Sequence, residues 1–172
     1  MLRLAGGIMI VAGCFGLGMW YRSQFILQLQ TLRELLRILE MLMGEIRFGK
    51  STLPECCKRV GERQKEPYRS TLLQIYLKMN ENTGEGFQTI FFENMEACLQ
   101  KVPISKEDRK HFLSFAVGDG FEDGCMQLRA VERSREMLLL SAEKMERENT
   151  EKCRMALGLG AMSGLLLIVI LC

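Results

Sequence analysis

The sequence predicts an all-α protein: two transmembrane helices flanking a cytosolic six-helix bundle. Three observations carry that reading. Two 18-residue stretches, Leu4 to Tyr21 and Met155 to Cys172, contain no charged residue. The 23 basic and 21 acidic residues fall almost wholly between them. Apolar residues in that middle stretch recur at helical spacing, with no period-two alternation that would build a sheet. The chain therefore divides into an N-terminal span (1–21), a helical bundle (22–154) and a C-terminal span (155–172).

An 18-residue helix extends about 27 Å, close to the ~30 Å hydrocarbon core of a bilayer. Trp20 and Tyr21 sit where the first span meets the middle region, the place aromatic residues take at a membrane interface. Arg22, Arg33 and Arg37 follow the first span, and Lys152 and Arg154 precede the second. The positive-inside rule then puts residues 22–154 in the cytosol and both termini outside, with Arg3 opposing. Ala12 and Gly16 in the first span, and Ala156, Gly160 and Gly164 in the second, repeat every four residues. Such small-residue faces let helices approach closely in lipid. Packing of the chain's own two spans and homo-oligomerisation both fit them. The alternative for the N-terminus is a lipoprotein signal, because Val11-Ala12-Gly13-Cys14 has the form of a lipidation site at Cys14. The apolar run continues past Cys14 where a polar tether is usual, which favours an uncleaved helix.

The first helix of the bundle is read from Phe25, Leu29, Leu32, Leu36, Leu39, Met43 and Ile46, a heptad seam that ends at Gly49. No Pro or Gly interrupts Met19 to Met43, so the span can run on into it. Its partner is the last long helix, roughly Cys125 to Cys153, with Leu128, Val131, Leu138, Ala142 and Met145 on one side. One helix leaves the membrane and the other returns, so the two should pack antiparallel.

Shorter helices fill the interval. Thr52-Leu53-Pro54-Glu55 is a helix start, in which Thr52 and Glu55 can form a capping box and Pro54 occupies the first turn. That helix should stop before Pro67. The next carries Leu72, Leu73, Ile75, Tyr76 and Met79, and Gly84-Glu85-Gly86 breaks it. Another runs from about Phe87 to Leu99. Beyond Pro103, Ser105-Lys106-Glu107-Asp108 opens one more, bearing Phe112, Leu113 and Phe115.

Composition argues against several kinds of chemistry. The middle region is nearly neutral, so nucleic acid is not the expected partner. Lys58, Arg59, Arg63 and Lys65 are interleaved with Glu55, Glu62 and Glu66 and read as a solvated face. His111 is the only histidine, and no Cys-x-x-Cys accompanies it, so neither zinc nor histidine-based catalysis is expected. Seven cysteines without a repeated spacing read as reduced thiols. The neighbours Cys56 and Cys57 suit packing better than a strained vicinal disulfide, though a redox sensor remains a third reading. Gly118 to Gly124 lacks the ligand order of a calcium loop. With no phosphate-cradling Gly-Lys-Ser/Thr sequence, ATP hydrolysis would belong to a partner. No catalytic group and no cofactor is expected.

The layout resembles the stage III sporulation protein AB family of endospore-forming bacteria. Glu45-Ile46-Arg47-Phe48-Gly49 followed by Ser51-Thr52-Leu53-Pro54-Glu55 is similar to that family's Glu-Ile, aromatic-Gly, Thr-Pro-Leu stretch, with Leu and Pro exchanged. Gly120, Asp123 and Gln127 match a Gly-x-x-Asp-x-x-x-Gln segment. Phe115-Ala116 departs from the family's Phe-Gly, and Asp119 takes a usually apolar place. The resemblance implies a fold similar to the inner-membrane platform protein of type II secretion and type IV pilus machines. It further implies a non-enzymatic scaffold in the channel apparatus joining mother cell and forespore, on the mother-cell side of the forespore's outer membrane. The implied partners are other channel subunits and a cytosolic secretion-type ATPase like stage III sporulation protein AA. Phe48, Gly49, Asp123 and Gln127 are then the first partner-binding candidates, and helix termination or packing would explain the same residues.

Overall fold

A computed structural model describes the backbone of residues 2–49, 52–81, 84–116 and 124–171, with side chains for 23–48, 52–81, 84–116 and 125–148. Six α-helices and one 3-10 turn follow in chain order: α1 (Leu2–Gly49), α2 (Leu53–Glu62), α3 (Tyr68–Asn80), α4 (Phe87–Leu99), α5 (Lys106–Leu113), the turn Ser114–Ala116, and α6 (Gly124–Leu171). Among the described residues there is no strand.

Two of the six are long. α1 and α6 each hold 48 residues, a length of roughly 72 Å. Each passes without a break from an apolar run into the charged region, so the limits at 21/22 and 154/155 are changes of chemistry and not of backbone. Among the described residues no helix is long and apolar enough to cross a membrane. The two predicted spans, with Ala12, Cys14, Gly16, Ala156, Gly160 and Gly164, fall on residues whose side chains lie outside that description.

The long helices pack antiparallel, as their connectivity requires. Arg33 of α1 meets Glu146 of α6, whereas Glu40, two turns later in α1, meets Arg135, three turns earlier in α6. On α6 the predicted side is the buried one: Val131, Leu138 and Ala142 are inside, with Leu128 and Met145 partly so. On α1 the heptad seam needs correcting. Only Leu32 and Leu39 of the seam are fully buried; Phe25, Leu29, Leu36, Met43 and Ile46 are half-covered. The deepest positions also include Leu35, Ile38 and Leu42. A coiled-coil seam serves one partner, but α1 packs against both α6 and α2, so a wider and rotated arc goes inside.

The short helices close the core from one side. Glu55 reaches back to accept the Thr52 N–H at 3.1 Å, fixing the start of α2 with Pro54 in its first turn. Gly61 lies where α2 and α3 touch: a Cβ there would sit 3.0 Å from Leu72 Cβ, tighter than most carbon contacts, so the neighbour would have to give by a few tenths of an ångström. Gly84, with φ of +77°, makes the turn into α4 that other residues adopt only with strain. Ser105 Oγ accepts the Asp108 N–H at 3.0 Å and donates to the Asp108 carboxylate at 2.6 Å, opening α5. Phe91 of α4 then meets Phe112 of α5 and Phe115 of the 3-10 turn, with ring centroids 6.5 and 5.0 Å away. All three rings are buried.

Candidate protein-docking site

The antiparallel pairing brings the end of α1 and the beginning of α6 to one tip of the molecule, the tip remote from the two apolar runs. α1 stops at Gly49, with Arg47 in its last turn next to the carbonyls that end the helix dipole. Phe48 points outward and is 82% exposed; Met126, in the first turn of α6, is 63% exposed. A phenyl ring left in water forgoes about 1.5–3 kcal/mol that burial would supply, so this tip favours a covering surface. Between the helices runs an open groove of about 300 Å3, with Met43, Gly44 and Phe48 on one wall and Leu128 and Arg135 on the other. Arg135 forks onto Glu40, its Nε and Nη2 both 3.1 Å from one carboxylate oxygen, and braces the groove's floor.

Three of the four partner-binding candidates can be placed. Phe48 and Gly49 end α1, and Gln127 is half-buried in the opening turn of α6 beside Leu128. Asp123, with Gly118 to Gly120, lies outside the described residues. The tip also contains Met126 and Arg47, which sequence reasoning passed over. Met126 is off the α6 stripe that contacts α1, so periodicity gives it no role until the helix is placed.

The remaining candidates are absorbed by packing. Burial pushes the Cys56 thiol up, with the Glu45 carboxylate adding to it, and burial pushes Cys57 up further. Neither sulfur is accessible, so neither suits a thiolate redox sensor. The basic cluster is the solvated face expected, with Lys58, Arg59, Arg63 and Lys65 all exposed, and part of it also reaches across to neighbouring helices. Lys58 sits 4.9 Å above the Tyr76 ring, and Arg59 and Arg63 both reach Glu45, at 3.1 and 3.5 Å. These residues tie α2 to α3 and to α1. His111 is half-buried on α5, and among the described residues no group of three or more His, Cys, Asp or Glu side chains could hold a metal ion.

Comparison with known proteins agrees with this architecture. The sequence pattern of the family described as stage III sporulation protein AB matches residues 3–172. Stage III sporulation protein AB of Bacillus subtilis (strain 168) is 22% identical over 171 residues, covering 99% of either chain. A solved structure of stage III sporulation protein AB (SpoIIIAB) superposes with a TM-score of 0.64 at 14% identity, covering 73% of this chain and 98% of that one.

Proposed function

Because the chain belongs to the stage III sporulation protein AB family, we propose that it is a membrane-anchored scaffold subunit of a sporulation channel complex, docking a cytosolic secretion-type ATPase. In this reading the two apolar runs cross the mother-cell membrane facing the forespore, and residues 22–154 stand in the cytosol. The observation that carries it is the polarity of the long helix pair. Both apolar runs lie toward one end, and the opposite end presents Phe48, Met126 and a groove. A bundle tied to a bilayer through two continuous helices is well built to hold a partner at fixed distance from the membrane. It supplies position, and the partner supplies hydrolysis.

Co-purification from membranes containing the full chain and the secretion-type ATPase tests the docking. The ATPase should be retained, and Phe48→Asp should lower its recovery about tenfold, as for a central aromatic anchor. Failure of the unsubstituted chain to retain the ATPase would sink the proposal. Topology needs a separate measurement. Cys56 and Cys98 are buried and shielded from reagent, whereas Cys125 is exposed. With the other cysteines replaced, an impermeant maleimide should label Cys125 in inverted vesicles and leave it unlabelled in intact cells. The reverse pattern would place the bundle outside and favour the lipoprotein alternative at Cys14.

A further inference from the structure

The side of α6 turned away from the core is not a uniform polar surface. Met126, Met137 and Leu140 are exposed along it, at 63%, 40% and 62%. Arg133, Lys144 and Arg147 occupy the same line, the steps from Arg133 through Met137, Leu140 and Lys144 to Arg147 being four, three, four and three. That spacing keeps all five on one helix face at coiled-coil register. Arg129 lies beside them and is also exposed. None of the four cations is in an ion pair among the described residues. The carboxylates Glu132, Glu136 and Glu143 fall instead on the flank toward α1, where Glu146 meets Arg33. The other flank borders the 3-10 turn after α5, marked by Ser134 Oγ at 2.9 Å from Ser114 Oγ; the half-buried Glu148 lies on this side, one turn after Lys144, and Lys110 of α5 is another exposed cation. Along most of its length the outer surface of α6 thus carries its carboxylates on the border toward α1, beside an apolar strip studded with positive charge.

We infer that this strip is the docking seam for an amphipathic helix of a partner protein with acidic residues flanking its apolar face. Apolar residues at the register of a coiled coil supply the seam, and unpaired cations among them select carboxylates across it. A second copy of this chain fits poorly. Two copies in one membrane would set their α6 helices parallel, bringing Arg133, Lys144 and Arg147 against themselves at a cost that like charges impose on heptad pairing. The seam shares Met126 with the tip but leaves out Phe48 and the groove, so it neither requires nor replaces docking of an ATPase at Phe48.

The test uses the full chain in detergent and, as probe, a fluorescent synthetic heptad-repeat helix with Leu at a and d and Glu at e and g. Anisotropy should show saturable binding. A companion helix with Lys at e and g should bind about tenfold more weakly, a comparison that needs no variant. Arg133→Glu combined with Lys144→Glu should reverse the preference between the two helices. Met137→Ser with Leu140→Ser should weaken both, and Phe48→Asp should change neither. All these positions are exposed, so the fold should survive the changes. Equal binding of the two probes, no saturable binding, or loss of binding in Phe48→Asp alone would each overturn the inference. A shift in oligomeric state on reversing the charges, without probe binding, would overturn it in favour of self-association. ATPase co-purification with the strip variants remains an independent reading, so either proposal can fail while the other stands.

Discussion

The long helix pair and the four short helices reach stability by different means. α1 and α6 carry rows of buried aliphatic side chains, Leu32, Leu35, Ile38, Leu39 and Leu42 on one and Val131, Leu138 and Ala142 on the other, and are joined by ion pairs on the outside. Each row repeats over many turns, so no single residue dominates. The short helices have few turns each and concentrate their contacts in a small volume. Phe91, Phe112 and Phe115 come from three separate elements, and α2 meets α3 at Gly61 with little room for a methyl group. The difference teaches that the pair is a tolerant strut, whereas the short-helix layer is the part in which one side chain can decide the fold.

The largest effect should come from the aromatic cluster. Phe91 is fully buried, so Phe91→Ala should cost about 3–5 kcal/mol by lost transfer energy and the cavity left behind. Leu36→Ala, at a half-covered site on α1, should cost about 1 kcal/mol or less. Denaturant unfolding of the full chain in detergent, followed by far-UV circular dichroism, measures both. Equal losses at the two sites would break the comparison.

A pair of glycines sharpens it through the sign of the effect. Alanine is the better helix former by about 1 kcal/mol, so Gly→Ala in open space should stabilise. Gly44 on α1 has nothing within 4 Å of a Cβ, and Gly44→Ala should raise stability by up to about that amount. At Gly61 the obstructing atom is Leu72 Cβ, fixed to the α3 backbone, so α3 itself must shift. Gly61→Ala should therefore destabilise by about 1–3 kcal/mol despite the propensity gain. The same unfolding measurement reads both, and a stabilising Gly61→Ala would mean that the short-helix layer yields as readily as the strut.

How much of this was legible in the sequence follows the same division. The start of α2 at Thr52-Leu53-Pro54-Glu55, the capped start of α5 at Ser105, and the antiparallel partnership of α1 with α6 could all be read, because caps and periodicity are local. The rotation of the α1 face toward Leu35, Ile38 and Leu42 could not, since it depends on α2 arriving as a second neighbour. Nor could the meeting of Phe91 with Phe115, or the close approach at Gly61, which arise from tertiary placement of elements whose own patterns carry no address. At the candidate site the end of α1 at Phe48 and Gly49 was visible through family-like motifs. Met126 was not, because its exposure acquires meaning only once α6 begins beside that end.

The smallest effect tests whether the strut relies on its exterior charges. Arg135 donates twice to Glu40 across the pair, a geometry more favourable than a single contact, yet the side chains are 34% and 55% exposed. Water and salt screen such a pair, so Arg135→Gln should cost only about 0.2–1 kcal/mol at low ionic strength. The loss should nearly vanish at about 1 M salt, where screening acts within a few ångströms. Unfolding of the variant and the parent at both salt concentrations checks this. A loss of several kcal/mol that persisted in salt would mean that Arg135 acts by packing over Leu128 and Met43 in the groove and not by charge. The groove beside Phe48 would then be part of the strut's structural core, and its availability to a docking partner would have to be argued from Phe48 and Met126 alone.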